Sequence, residues 1–336
     1  MKLTPKVRKT LDFATRLIIA TLSLSFIFYR IYTVPASQVS TFVNSILGNK
    51  QLFSISIVLV LFMVVNWGIE SWKWKLLISQ SEKISFVKAY QAILGGLAVS
   101  IFTPNRVGEF MGRVFILRKT DPLKAILLTI VGSFSQILIT LVFGTVAYLF
   151  LAPGYLPQSL GNVTWLIRGF SITLLSLSVG MILIYFNISV LHRVSILIPA
   201  RFSERVQQSI DAIAGCSQRL LLKAVLLSSI RYLVFSTQFF LALRLMGLNF
   251  AVWQCMMVIP VIYLFLAAIP TIALSEIGVR GSVSVFLFGL LVGINGLNPA
   301  DSLAVISAST LIWLLNIAVP SMAGVFVIFS LKFFRQ

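Results

Sequence analysis

The chain has 336 residues, 58% of them hydrophobic and only 11% charged, with 27 Lys+Arg against 9 Asp+Glu and a formal charge of +18. A soluble domain carries roughly 25% charged residues, so this composition excludes a water-soluble globular protein and places the chain in a membrane. There the basic excess reports topology rather than nucleic acid, because Lys and Arg gather on the cytoplasmic side.

A spanning helix needs about 20 mostly apolar residues. In chain order the pattern predicts spans near Leu17–Tyr32, Leu52–Ile69, Leu123–Leu151, Trp165–Asn187, Ala224–Met246 and Leu303–Leu331. The first follows Lys2, Lys6, Arg8, Lys9 and Arg16 with no cleavage signal after it, and reads as a retained anchor. Two regions break the pattern. Residues 88–117 are interrupted by Thr103-Pro104-Asn105-Arg106, and residues 253–293 by Ile269-Pro270-Thr271 and Ser275-Glu276. Their arms, about 10 to 17 residues each, suit re-entrant half-helices better than crossings. Broken backbone at membrane depth is tolerated only where protein or a watery cavity surrounds it.

The predicted fold is an all-α polytopic membrane protein. Six spanning helices and two re-entrant helical hairpins make eight membrane-embedded segments in an inverted repeat, with residues 1–160 as the first unit and 161–336 as the second. No stretch reads as a soluble domain. Between Arg201 and Leu222, Phe202, Val206, Ile210 and Ile213 recur at helical spacing and read as an amphipathic helix on the inner surface. Orientation follows from the basic residues. With the N-terminus inside, Lys73, Lys75, Lys83, Lys88, Lys119 and Lys124 fall inside, as do the later clusters around Arg201, Arg219 and Lys332. Only Arg30, Lys50, Arg168 and Arg244 fall outside. Both termini are therefore expected in the cytoplasm, with the chain integral to the inner (cytoplasmic) membrane.

The breaks carry the chemistry. After Pro104 come Gly108, Glu109 and Arg113; after Pro270 come Glu276, Gly278 and Arg280. In both, Glu and Arg stand four apart on one helical face. An ionisable residue at the bilayer centre costs about 2.5–3.5 kcal/mol by insertion scales, which makes it a poor choice for mere packing. One reading is that each pair neutralises itself and pins its hairpin. The other is that the arginines face a cavity and hold an anion. Arginine offers a planar fork that matches phosphate. Arg106, Arg113 and Arg280 are thus candidate phosphate ligands, with Ser100, Thr103 and Asn105 adding neutral hydrogen bonds. Glu109 and Glu276 would orient the arginines or carry protons. Pro104, Gly108, Pro270 and Gly278 are structural breaks or close-approach points. A helix beginning after Pro104 would also turn its positive end into the break.

Other polar residues give weaker signals. Glu70, among Trp67, Trp72 and Trp74, reads as part of an interfacial aromatic belt with snorkelling lysines. Arg231 either completes the cavity or snorkels to the inner surface. Gln136, Gln238 and Asn316 read as bridges between helices. Cys216 and Cys255 lie far apart, and His192 is the only histidine. They suggest no disulfide framework, metal site or hydrolase triad, so no cofactor and no enzymatic activity are expected.

"GGLAVSIFTPNRVGEFMGRVFIL" and "IPTIALSEIGVRGSVSVFLFGLLVG" resemble the two signature regions of the lysylphosphatidylglycerol synthase transmembrane-region family, whose members are also described as flippase-like. The resemblance covers most of the chain. In multidomain members this region is coupled to a soluble aminoacyltransferase domain and is thought to translocate the modified lipid. The resemblance implies a transporter of an anionic phospholipid or polyprenyl-phosphate-linked lipid. The alternative is a non-transporting partner or scaffold for a lipid- or glycan-modifying enzyme. Expected partners are membrane lipids, anionic ones foremost, and no nucleic acid; a homo-oligomer or an enzyme partner is compatible with either reading.

Overall fold

The structure is a computed structural model that describes residues 32, 36–48, 51–100, 103, 107–114, 116–117, 119–160, 164–188, 213–270, 273–293 and 296–330. Among these, every element is helical. In order they are α1 (Ala36–Leu47), α2 (Leu52–Ile78), α3 (Phe86–Ser100), α4 (Gly108–Val114), α5 (Pro122–Leu160), α6 (Thr164–Phe186) and α7 (Gln218–Leu245). Then come α8 (Val252–Ala268), α9 (Ala273–Val292) and α10 (Pro299–Trp313), which a π-helical turn (Leu314–Ala318) joins to α11 (Val319–Ser330). Local signals set several starts. The Ser217 side chain accepts from the Leu220 amide to open α7. Asn298 accepts from the Asp301 amide at 2.7 Å, ahead of Pro299 at the first turn of α10.

Six helices are long and apolar enough to cross a membrane: Leu52–Ile78, Pro122–Tyr155, Thr164–Phe186, Gln218–Leu245, Ser275–Val292 and Pro299–Val327. Five match predicted spans. The predicted first span lies, but for Tyr32, outside the described residues, as does residues 201–212 of the predicted amphipathic helix. The sixth long helix corrects the sequence reading. The second arm of the second broken region is not a half-helix: α9 runs 20 residues. Ser275, Glu276 and Arg280 interrupt its hydropathy without interrupting its backbone. Ser275 and Arg280 are turned inward and buried, so the lipid never meets them. By contrast α3 and α8 are short, at 15 and 17 residues.

Helix α2 lies along α7. Helix α3 packs on α4 and α11, while α8 packs on α5 and α9. Close backbone approach decides two of these contacts. A Cβ on Gly112 would sit 2.6 Å from the Gly96 Cα, so α4 rests directly on α3. A Cβ on Gly144 would meet the Leu264 Cβ at 2.7 Å, which fixes α5 against α8. Gly324 of α11 is likewise pressed against the backbone of Leu94 in α3. One apolar core gathers Phe239, Val258, Phe288 and Val305; a second gathers Trp74, Leu77, Ile93 and Leu128. Helix α6 leaves Trp165, Ile172, Leu183 and Ile184 exposed, a surface suited to lipid rather than water.

Candidate functional site

The two broken regions line one cavity of about 560 Å³. Thr103, Glu109 and Phe110 come from the first, and Ile269, Pro270, Glu276 and Arg280 from the second. Helices α2, α5 and α7 complete the walls.

The largest surprise is Glu70. It was expected in an interfacial belt, and the structure places it at the heart of the bundle, only 3% exposed. Its Oε2 lies 2.8 Å from Lys73 Nζ and 3.4 Å from Arg231 Nη1, and its Oε1 accepts from Arg113 Nη1 at 3.2 Å. The inner-surface position expected for Lys73 is corrected with it. Lys73 is 1% exposed and donates to Ser228 Oγ at 3.1 Å, and that hydroxyl shares a 2.8 Å bond with Ser135. Of the aromatic trio only Trp72 is exposed; Trp67 and Trp74 are buried. The sequence signal that was available is spacing. Asn66, Trp67, Glu70, Lys73 and Trp74 fall on one helical face, while Trp72 falls on another.

Arg113 sits behind this face. Its guanidinium bridges two carboxylates, Glu70 and Glu109, and it is 2% exposed. Glu109, not Arg113, reaches the cavity. Arg280 does reach it, paired to Glu276 at 2.9 Å and lying 5.8 Å above the Tyr263 ring. Arg231 also lines the cavity rather than snorkelling. It donates to Gln136 Oε1 at 3.1 Å and lies 5.0 Å over the Trp67 ring.

The neutral residues divide. Thr103 lines the cavity, but its hydroxyl is engaged: it donates to the Ser100 carbonyl at 3.0 Å and accepts from the Gly108 amide at 2.8 Å. Ser100 is buried away from the cavity and donates to its own helix at the Leu97 carbonyl, 2.8 Å away. Pro104, Asn105 and Arg106 lie outside the described residues. The described helix after this break starts at Gly108, and Thr103 caps its first amide. Gly278 is buried within α9.

A second polar system adjoins the cavity. Gln238 donates to the Leu59 carbonyl at 2.8 Å, Asn316 donates to Gln238 Oε1 at 2.7 Å, and Asn66 donates to Asn316 Oδ1 at 3.1 Å. The backbone carbonyl of Asn316, at the π-helical turn, accepts from Trp67 Nε1 at 3.1 Å. The bridging role expected for Gln238 and Asn316 thus takes the form of a continuous row.

Apolar helices around a charged, partly closed cavity define an integral membrane protein with a polar interior. The chain belongs to the lysylphosphatidylglycerol synthase TM region family, whose model matches residues 14–324. Searches of curated proteins and of solved structures returned no significant match.

Proposed function

We propose that this protein is a transporter, not an enzyme, and that it moves an anionic phospholipid or polyprenyl-phosphate-linked lipid between leaflets. The observation that carries the reading is the convergence of Glu109 and the Glu276–Arg280 pair on one cavity with Glu70, Lys73 and Arg231. With Arg113 behind Glu109, four basic groups meet three acidic ones, leaving one positive charge in excess among the described residues. That excess favours an anion. Arg280 lines the cavity, and its buried Nε finds no acceptor among the described residues. The volume falls in the range of ligand sites, about 300–1,000 Å³. The carboxylates are held by basic partners, which suits orientation of the arginines better than acid–base chemistry.

The transport mechanism rests on an inverted repeat of residues 1–160 and 161–336, with both termini cytoplasmic. Two features support it. Helix α5 meets α8 at Gly144 and Leu264, as α11 meets α3 at Gly324 and Leu94. The shared Glu–Arg spacing joins the same parts of each half. Helices α3 and α8 are too short to cross alone at about 20 residues per span and fit re-entrant arms, with α9 as the longer return arm of the second hairpin. The headgroup then exchanges Glu276 for its phosphate at Arg280 while its tails stay in the bilayer.

The test is reconstitution of the purified protein into vesicles with fluorescent lipids, scoring leaflet exchange. Anionic lipids should exchange faster than protein-free controls. Exchange of none of them would overturn the transport reading and shift the weight to a membrane partner of a lipid- or glycan-modifying enzyme.

A further inference from the structure

Beside the main cavity is a smaller chamber of about 110 Å³, lined by Asn66, Asn316, Arg231, Arg280 and the rings of Trp67 and Tyr263 among others. It shares Trp67, Arg231, Tyr263 and Arg280 with the main cavity. The amide row described above ends here, and the row has only one order. A carbonyl can only accept, so the Leu59 carbonyl forces Gln238 to present its NH₂ there and its oxygen to Asn316. Asn316 must then turn its own oxygen to Asn66, and Asn66 spends its NH₂ on that oxygen. The polarity of each amide follows from its neighbour rather than from an arbitrary choice of O and N. What remains is Asn66 Oδ1, buried and with no hydrogen-bond partner among the described residues. Its residue is 2% exposed. A buried acceptor left unmade costs about 1–3 kcal/mol, so a donor supplied by a ligand recovers a substantial amount.

The lining selects the donor. Among the described residues, two guanidiniums and no carboxylate face the chamber. An ammonium group could only donate and would leave the arginine donors unmatched, whereas a neutral hydroxyl can donate to Asn66 and accept from an arginine. At about 110 Å³ against about 560 Å³, the chamber is far smaller than the main cavity. It is the size of a short polyol and too small for an oligosaccharide.

We propose that this chamber is a hydroxyl subsite. Asn66 Oδ1 accepts a hydrogen bond from a short polyol at the end of a headgroup whose anionic phosphate lies in the main cavity. The inference rests on the anionic-lipid reading for the position of the phosphate, and it names the headgroup class. It also assigns a role to Asn66, which the sequence pattern did not single out.

The experiment compares three lipids that share a phosphodiester: phosphatidylglycerol, phosphatidylpropanol, which lacks the hydroxyls, and phosphatidylethanolamine, which carries an ammonium. Binding of short-chain forms to the purified full chain in detergent is measured alongside leaflet exchange in vesicles. Phosphatidylglycerol should bind about tenfold more tightly than either other lipid, the ratio expected of one well-made hydrogen bond. Asn66→Leu should bring the glycerol-to-propanol ratio to about one. Misfolding would lower both affinities without collapsing their ratio. Ile312→Phe, which narrows the chamber without touching the amide row, should collapse the ratio too. Equal binding of phosphatidylglycerol and phosphatidylpropanol by the unaltered protein would overturn the subsite. So would an unchanged ratio in both variants, which would leave Asn66 serving only a buried water. Tighter binding of phosphatidylethanolamine would overturn the hydroxyl assignment. Selective, Asn66-dependent binding without leaflet exchange would keep the subsite and remove the transport reading instead.

Discussion

Arg231 of α7 stands 3.4 Å from the Oε2 of Glu70 in α2, inside the bundle, although the two are far apart in sequence. The contact ties the two helices that pack most extensively on each other, and Glu70 reaches Lys73 and Arg113 as well.

Glu70→Gln should therefore destabilise the protein strongly. The change takes a carboxylate from Lys73, Arg113 and Arg231 at once, and removing one member of a buried ion pair costs about 3–5 kcal/mol. Thermal unfolding in detergent should show a clear drop. Adding Lys73→Met, which removes one of the stranded charges, should recover part of it. An unchanged melting temperature in Glu70→Gln would mean that water screens this cluster.

The pair at Arg280 separates structure from binding. If Arg280 serves only Glu276, then losing both residues is tolerated better than losing one. If Arg280 holds a phosphate, Arg280→Ala and the Glu276→Ala/Arg280→Ala double variant both lose leaflet exchange, even where folded yield recovers in the double. Arg280→Lys should recover activity only in part, since it restores charge without the planar fork. Exchange normalised to folded protein is the measurement. Full activity in the double variant would show that the pair is a brace.

Glycines on different surfaces should respond oppositely. Gly324→Val sets a side chain against the Leu94 backbone, which cannot swing aside, and overpacking of this kind typically costs about 1–3 kcal/mol or more. Gly180→Ala meets nothing within 4 Å and lies inside α6, where alanine should add about 0.5–1 kcal/mol. Melting temperatures of the two variants should move apart. If both fell alike, the α3–α11 approach would not be the close one described.

The proposed orientation is testable with cysteines. The two native ones, Cys216 and Cys255, are buried and are changed to alanine before labelling. A cysteine at Gln80, in the exposed turn after α2, should react with impermeant reagent only from the cytoplasmic side. One at Gln158 should react only from outside. Labelling of Gln158 from inside alone would remove the inverted-repeat reading.

Much of this was legible in the sequence. The i, i+4 spacing of Glu109 with Arg113 and of Glu276 with Arg280 places each pair on one helical face, and both pairs form. The two breaks, flagged by proline among apolar residues, reach one cavity. The role of Glu70 was not legible, because its partners come from α4 and α7, and because tryptophans with lysines look the same at an interface as in a buried ion cluster. The length of α9 was hidden for a related reason. Hydropathy averages over all faces of a helix, so buried Ser275 and Arg280 count against a span although neither faces lipid. Asn66 offered no signal, since a lone asparagine gains meaning only once Asn316 and Gln238 fix its orientation.

The charged cluster also bears on how the protein is made. A segment entering the bilayer from the ribosome meets lipid before its later partners exist. Helix α2 carries Glu70 and Lys73 one turn apart, so they neutralise each other at once. Arg113 arrives with Glu109, and Arg280 with Glu276, each four residues away. These helices bring their own counterions and can wait. Arg231 differs: its acidic partner, Glu70, lies on a helix synthesised long before it. The nascent α7 should thus be the segment that inserts poorly alone and depends on an already seated α2. Translation order, with the acid first and the arginine after it, supplies the partner before it is needed.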